Sequence, residues 1–216
     1  MAWSAESATK AYLQALKMGK RSKEPDVSEF ISALAAGNSA QLMVEACDGA
    51  AGATTLALVA AARETGGRLV CILPGLHELQ QSKEALGDEA SEVEFVVGDA
   101  STLLLSDYQG ADFVLIDCDL DGHEEILEAA QLGRKQEGVV VVGYNAFHSG
   151  KWQTSWKSVL LPIGDGLQVV TIKAAARKTN GHGGARRSRW VVRVDTCTGE
   201  EHVYRVTNPY LRELEA

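Results

Sequence analysis

The stretch Leu42 to Thr55, LMVEACDGAAGATT, decides the fold of this chain. An apolar run ends in the acid Glu45, a turn of small residues follows at 47–53, and an Ala/Leu-rich segment then predicts a helix. Many nucleotide-binding α/β domains begin with a strand, a tight Gly/Ala turn and a helix. The N-terminus of the helix presents unpaired N–H groups, and the small residues of the turn allow a ligand to come close to them. A βα turn that needs small residues only for helix–sheet packing gives the same pattern, so the stretch alone leaves both interpretations open.

Composition limits the function classes. The 216 residues suit one α/β domain, and 21 basic against 29 acidic residues give a net charge of −8, which argues against nucleic-acid binding. Cys47, Cys71, Cys118 and Cys197 lie far apart, without a C-x-x-C or metal-ligand spacing, so we interpret Cys71 and Cys118 as buried thiols of a reduced protein. No export signal and no membrane-spanning run is present, so we expect a cytoplasmic protein without a membrane partner.

The order of elements predicts a parallel sheet. Two helices, near 5–18 and after Pro25, precede five β-then-α units. The strands of these units are nearly all apolar, which is typical of a sheet with helices on both faces. They are predicted at 41–46, 68–73, 93–97, 111–117 and 138–143.

The C-terminal part predicts antiparallel strands. Segments at 158–162 and 167–173 follow the fifth unit, and alternating residues over 190–206 predict a β-hairpin after a basic, glycine-rich loop. The exposed hairpin edge is a pairing surface for a homodimer. We expect one domain over 1–216, made of N-terminal helices (1–40), a Rossmann-like core (41–173) and this hairpin.

Several motifs together resemble a known superfamily. VEACDGAAGATT (44–55), VGDA (97–100), DFVLIDCDLD (112–121), GVVVVGYNAFHSG (138–150) and LPIGDGLQVVTIK (161–173) resemble class I S-adenosylmethionine-dependent methyltransferases, and among them the caffeoyl-CoA and catechol type O-methyltransferases. The whole chain, with WSAESATKAYL (3–13) and EPDVSEFISALAAG (24–37), resembles a plant-specific family of unknown function in that superfamily.

The resemblance implies a mostly parallel, seven-stranded sheet that binds S-adenosylmethionine or S-adenosylhomocysteine over its first four strands. Glu45 would bind the ammonium group, the small-residue turn with Thr54 or Thr55 the carboxylate, Asp99 the adenine, and Asp117 would lie beside the sulfonium. The implied cofactor-binding residues are Glu45, Cys47, Gly49, Ala51, Gly52, Thr54, Thr55, Gly98, Asp99, Ala100 and Asp117.

Departures from the family pattern define a second set of expectations. The ribose-binding acid expected after the second strand is replaced by Leu73-Pro74-Gly75, and the nearest carboxylate is Glu78. In the cation site of the O-methyltransferase branch, Asp117 and Asn145 match, but Tyr144 replaces an Asp, and Leu120 replaces the catalytic lysine. A hard cation needs several oxygen ligands, so we expect no metal and no metal-dependent catechol methylation.

Methyl transfer without a metal needs a base only when the acceptor is not already nucleophilic. The candidate catalytic residues are Asp117, Tyr144, Asn145 and His148, with Asp119 as a further candidate base. We therefore expect a methyltransferase-like protein with a small-molecule acceptor. One alternative is a non-catalytic relative that acts as a scaffold or interaction protein. The other is a dinucleotide oxidoreductase, which the missing acid and the irregular glycine spacing disfavour.

Overall fold

A computed structural model describes residues 3–19, 27–133, 138–149, 152, 158–172, 188–194 and 201–207. The chain divides into two compact units, Met1–Ala175 and Ala176–Ala216. The first contains all the elements up to residue 172, and the second contains a β-hairpin. The organisation as a single domain stays a prediction.

Two helices precede the sheet, as predicted. Helix α1 (Ala5–Met18) begins at Ser4, whose hydroxyl accepts a hydrogen bond from the Ser7 amide over 3.2 Å, and its C-cap is Gly19. Helix α2 spans Val27–Gly37 and buries Ile31, Ala35 and Ala36. The predicted start of α2 before Val27 lies outside the described residues.

The core alternates strands and helices as the apolar runs predict. Small differences from the predicted bounds lie at strand ends: the fourth strand begins at Phe113 rather than at residue 111, and the fifth ends at Tyr144 rather than at residue 143. A 3₁₀ helix at Gly87–Glu92 was not expected. The elements are β1 (Leu42–Ala46), α3 (Ala53–Thr65), β2 (Arg68–Leu73), α4 (Leu76–Leu86), β3 (Val93–Val97), α5 (Ala100–Leu105), β4 (Phe113–Asp117), α6 (His123–Gly133), β5 (Val139–Tyr144), α7 (Ala146–Ser149), β6 (Ser158–Leu161) and β7 (Leu167–Ile172).

These strands form a seven-stranded sheet in the order β3-β2-β1-β4-β5-β7-β6. Strands β1 to β5 are parallel, whereas β7 runs antiparallel to β5 and β6 antiparallel to β7. This Rossmann-like arrangement with an antiparallel C-terminal end confirms the predicted fold class. The order of the parallel strands reverses between β1 and β4, and ligands of such sheets bind beyond the carboxyl ends of the strands at this point.

The sheet is buried on both faces. One face packs against α1 to α4 through a core that includes Met43, Leu58 and Leu115, and the other packs against α5 and α6 through Val44, Leu104 and Ile116. Neighbouring residues of a strand point to opposite faces, so continuous apolar strands are what a doubly covered sheet requires. Helices on both faces are therefore also confirmed.

The start of β1 is anchored to β4 by a buried carboxylate. Asp112 accepts hydrogen bonds from the amides of Gln41, at 2.9 Å, and Leu42, at 3.1 Å. Charge-assisted bonds of this kind are stronger than those between neutral groups. The bonds align the two strands whose carboxyl ends flank the switch point.

The second unit holds strands β8 (Ser188–Val194) and β9 (Glu201–Thr207), which pair antiparallel with Ser188 opposite Thr207 and Val194 opposite Glu201. The hairpin predicted over 190–206 is therefore present. Most of the predicted basic, glycine-rich loop lies outside the described part of the chain, but its last two residues, Ser188 and Arg189, belong to β8. Within the described residues, no helix has both the length and the apolar character that crossing a bilayer requires.

Candidate functional site at the carboxyl edge of the sheet

The acids predicted at the strand ends lie on one side of the molecule. Glu45 is opposite Leu115 in the register of β1 and β4, so Asp117, two residues further along, points to the same face as Glu45. Asp117 is in turn opposite Tyr144 on β5. The carboxyl edge therefore brings Glu45, Asp117 and Tyr144 together, as the sequence predicts for a parallel sheet.

Glu45 is turned into the protein. Its side chain is fully buried, Oε1 accepts a hydrogen bond from the Thr54 hydroxyl at 2.6 Å, and Oε2 has no hydrogen-bond partner among the described residues. Burial raises the pKa of Glu45, and the nearby charge of Asp117 adds to the rise, while the hydroxyls of Thr54 and Thr55 and the Cys47 thiol oppose it. Direct contact between this carboxyl and a ligand's ammonium stays a prediction.

The turn between β1 and α3 is partly bonded to its surroundings. The Ala51 amide donates to the buried Ser82 hydroxyl on α4 at 2.8 Å, and the Gly52 amide donates to the Thr55 hydroxyl at 3.2 Å. A Cβ atom added to Gly49 or to Gly52 would meet no atom within 4 Å. Open space therefore borders both glycines of the turn, which is where a ligand could approach the backbone.

The thiols of Cys47 and Cys71 face each other beneath this turn. Both side chains are buried, and their sulfur atoms are 3.6 Å apart. The contact with Cys71 and burial raise the pKa of Cys47 well above its ordinary value. The spacing of 24 residues gave no sign of this pair; the pairing of β1 with β2 creates it.

Asp99 caps helix α5 at the end of β3. Its Oδ1 atom accepts hydrogen bonds from the Thr102 amide and the Ser101 hydroxyl, each at 2.7 Å. The Thr102 hydroxyl and then the Ser101 hydroxyl lower the pKa of Asp99, and the bond from the Thr102 amide lowers it further. Both bonds go to one oxygen, so the cap is compatible with a second role for the other oxygen.

Four polar residues form a network beyond β4 and β5. Asn145 Nδ2 donates to Asp117 Oδ1 at 2.9 Å and to Asp119 Oδ2 at 3.1 Å, and Asp119 Oδ1 is 3.0 Å from His148 Nδ1. Asn145 adopts a left-handed backbone conformation with φ of 57°, which asparagine tolerates better than most residues. The network joins three predicted catalytic residues, Asp117, Asn145 and His148, through Asp119.

Tyr144 is less available for chemistry. Its backbone ends β5, and its side chain is half-buried. Burial raises its pKa strongly, and the charges of Glu45, Cys47 and Asp117 raise it further. A tyrosine held in its neutral form is a poor base, so His148 is the better candidate of the two.

A cavity of roughly 200 Å³ opens beside the switch point. Its walls come from the ends of β1, β2 and β3, from the N-terminus of α5 and from the segment after β4. The predicted residues Cys47, Gly98, Asp99 and Ala100 all line it. The other lining residues are Ala46, Ile72, Leu73, Pro74, Ser101, Leu120, Asp121, Gly122, Glu125 and Ile126.

Two carboxylates of this lining were missed by the sequence analysis. Asp121 and Glu125 were not among the predicted site residues; Glu125 lies in the first turn of α6, beyond the strand end. Glu78 is the acid nearest to the end of β2, and its side chain folds back toward the N-terminus of α4. A Cβ atom added to Gly75 would lie 2.6 Å from Glu78 Oε2. Glu78 does not line the cavity, which at β2 is bounded by Leu73 and Pro74.

Comparison with known proteins identifies the family. Residues 1–206 match the family described as "protein of unknown function (DUF1442)", and the chain belongs to that family. None of the curated proteins matches the chain.

Solved structures share the fold at low sequence identity. A methyltransferase from Geobacter sulfurreducens is 19% identical over 78% of this chain and 90% of its own, with a TM-score of 0.53. A putative caffeoyl-CoA O-methyltransferase from Staphylococcus aureus is 15% identical over 79% and 93%, with a TM-score of 0.55. An S-adenosylhomocysteine-bound methyltransferase from Podospora anserina is 14% identical over 80% and 90%, with a TM-score of 0.56. The fold is thus that of methyltransferases.

Proposed function

We propose that this protein binds S-adenosylmethionine at the carboxyl edge of the sheet and transfers a methyl group to a small-molecule acceptor. The observation that carries the proposal is the cavity at the switch point, flanked by the network of Asp117, Asn145, Asp119 and His148. The location predicted in the cytoplasm, the plant origin and the homodimer stay predictions.

The residues present fit most parts of this cofactor. Gly98, Asp99 and Ala100 line the cavity where a nucleoside would lie, and open space beside Gly49 and Gly52 would admit the amino-acid end. A sulfonium and an ammonium are cations, and several carboxylates surround this edge. The charges of Asp117, Asp119 and Asp121 contribute, after burial, to a raised pKa of Asp48, so the field here is negative.

Bound S-adenosylmethionine supplies a methyl group made electrophilic by its sulfonium. The chain's own contribution is to hold the acceptor in line and to take up its proton. His148 can do the latter: with Nδ1–H donated to Asp119, its Nε2 is left as a base. Asn145 donates to both Asp119 and Asp117, so it fixes Asp119, and with it His148, relative to the end of β4 where the sulfonium would lie.

A second candidate is a non-catalytic relative that kept the fold. The volume of roughly 200 Å³ favours it, since small-molecule sites usually enclose about 300–1,000 Å³. Leu73 and Pro74 favour it too, because they offer no side-chain acceptor for ribose hydroxyls.

Calorimetric titration of the full chain with S-adenosylmethionine and S-adenosylhomocysteine tests the two candidates. We expect saturable binding of both. Ser101→Trp places a large ring in the cavity and should abolish binding, whereas Ser106→Trp, an exposed position after the same helix, should not change it. Absence of heat for wild type at millimolar ligand would reject the methyltransferase and leave the non-catalytic relative.

A further inference from the structure

Three side chains that can bind a metal converge beneath the β1–α3 turn. Cys71 is the register partner of Glu45 on neighbouring parallel strands, and Cys47 lies two residues after Glu45, so all three point to the same face of the sheet. The two sulfur atoms and a carboxylate oxygen of Glu45 all lie within 4.8 Å of one another. All three side chains are buried.

The distance between two cysteine sulfur atoms differs between a metal site and a disulfide. Two thiolates on a tetrahedral zinc ion, with Zn–S bonds of about 2.3 Å, lie about 3.8 Å apart. The sulfur atoms of a disulfide are separated by about 2.05 Å. The observed 3.6 Å is that of a contact between two thiols and excludes a disulfide; it is also close to the first value, so the two sulfur atoms could hold a metal ion with little change in their separation.

The second observation is the unpartnered oxygen of Glu45. Oε2 is completely buried and has no partner at hydrogen-bond geometry among the described residues, although Oε1 is bonded to Thr54 and the Thr55 hydroxyl and Cys47 thiol also interact with the carboxyl. A buried acceptor left without a partner is unfavourable by about 1–3 kcal/mol, and more if it is charged. No ion pair to Glu45 is present within the described ranges, and a cation held by its carboxylate and the two sulfurs would give this buried group an opposite charge.

We propose that Glu45, Cys47 and Cys71 form a binding site for a thiophilic divalent metal ion, of which Zn²⁺ is the type. Two sulfur ligands disfavour Mg²⁺ and Ca²⁺, which take oxygen ligands, and suit zinc. Three protein ligands leave the fourth tetrahedral position for a water molecule. This site differs from the cation site of the O-methyltransferase branch, which would involve Asp117 and Asn145, and it does not depend on the proposed methyl transfer.

Cobalt titration of the reduced, metal-free full chain tests the assignment, because Co²⁺ occupies zinc sites and reports thiolate ligands in its absorption spectrum. We expect one Co²⁺ per chain, with thiolate-to-cobalt charge-transfer bands that Zn²⁺ abolishes. Cys47→Ser and Cys71→Ser should each remove the bands. Cys118→Ser replaces a buried cysteine on the opposite face of the sheet and should leave them intact.

Glu45→Gln tests the third ligand, since it keeps the shape of the side chain and removes its charge. It should weaken Zn²⁺ binding by at least about tenfold, because even the loss of a residue that only supports a metal ligand lowers the affinity by about 10- to 100-fold. X-ray absorption of the zinc-loaded wild type requires no variant and should show two sulfur neighbours at about 2.3 Å.

The assignment is overturned if the wild type shows no thiolate bands, or if they persist in the Cys47→Ser/Cys71→Ser double variant. It is equally overturned if the zinc-loaded wild type has only oxygen and nitrogen neighbours. A Cys47–Cys71 disulfide in the isolated protein, without metal binding after reduction, would replace the metal site by a redox pair.

Discussion

Asn145 donates a hydrogen bond of 2.9 Å to Asp117, although 28 residues separate the two along the chain. The bond links the end of β4 to the residue that follows β5, at the edge where the parallel strands of the sheet finish. The backbone of Asn145 is left-handed, with φ of 57°. Side chain and backbone of one residue thus make separate contributions to the network.

Two substitutions at Asn145 separate these contributions. Asn145→Gly removes the bonds to Asp117 and Asp119 but allows the left-handed conformation, whereas Asn145→Ala removes the bonds and strains the backbone. We expect the alanine variant to be less stable than the glycine variant by about 1 kcal/mol. Urea unfolding monitored by circular dichroism measures the difference. Equal stability of the two variants would show that this position stores no backbone strain.

The role of His148 as a base is tested by His148→Gln. With a panel of phenolic and other small hydroxyl acceptors, we expect the methylation rate to fall by roughly 100-fold or more, the usual contribution of a positioned base. Affinity for S-adenosylmethionine should be unchanged because His148 is not part of the cavity lining. His77→Gln on the exposed side of α4 is the matched control and should retain wild-type turnover. Undiminished turnover in the His148 variant would contradict the assignment.

We expect the free energy of unfolding to depend on pH through Asp99. Its folded-state pKa is lowered by its bonds to Thr102 and Ser101, so its contribution is present above the unfolded value of about 3.8 and is lost as the pH falls through the folded value. Asp99→Ala should lower the free energy of unfolding by about 1 kcal/mol at neutral pH, as for other lost N-caps. The difference from wild type should shrink as the pH falls below 3.8.

Asp99→Asn provides the comparison, because asparagine caps helices well and does not titrate in this range. The stability of this variant should lack the component that Asp99 loses in acid. A pH series of thermal or urea unfolding curves for the three proteins decides the matter. If Asp99→Ala differs from wild type by the same amount at every pH, the carboxylate charge does not stabilise the cap.

We expect a side chain added at Gly143 on β5 to disturb the packing of the core. A Cβ atom there would lie 2.6 Å from Trp152 Cζ2 and 2.7 Å from Cys118 Sγ, both buried. Gly143→Ala should therefore destabilise the protein by about 1–3 kcal/mol, the usual range for overpacking. Gly49→Ala, whose Cβ meets open space, should change the stability by less than about 0.5 kcal/mol. Similar unfolding midpoints for both variants would argue against close packing around Trp152.

The sequence predicted the fold well because its signals are local. Apolar runs such as Val139–Tyr144 are long enough to define strands, and Gly or Pro residues punctuate them. The rule that ligands bind at the carboxyl ends of parallel strands then located Glu45, Asp99 and Asp117 at one edge. The gathering of predicted residues at one edge therefore follows from topology.

Other features of the edge depend on pairings that no local pattern encodes. Cys47 and Cys71 meet because β1 and β2 pair in a particular register, and Glu125 reaches the cavity because of how the chain turns after β4. The burial of Glu45 likewise results from packing under α3. The sequence could not show that its carboxyl lies close to Thr54 and the two thiols, and the predicted ligand contact of Glu45 stays a prediction.

The hydrogen bond from the Ala51 amide to Ser82 couples the glycine-bearing turn to a helix that lies outside the cavity. Ser82 also donates to the Glu78 carbonyl at 2.6 Å, so one buried hydroxyl bridges the turn and the first part of α4. A rearrangement that frees the Ala51 amide therefore breaks this link between the turn and α4. Deuterium uptake at the Ala51 amide would therefore measure how often the turn separates from α4.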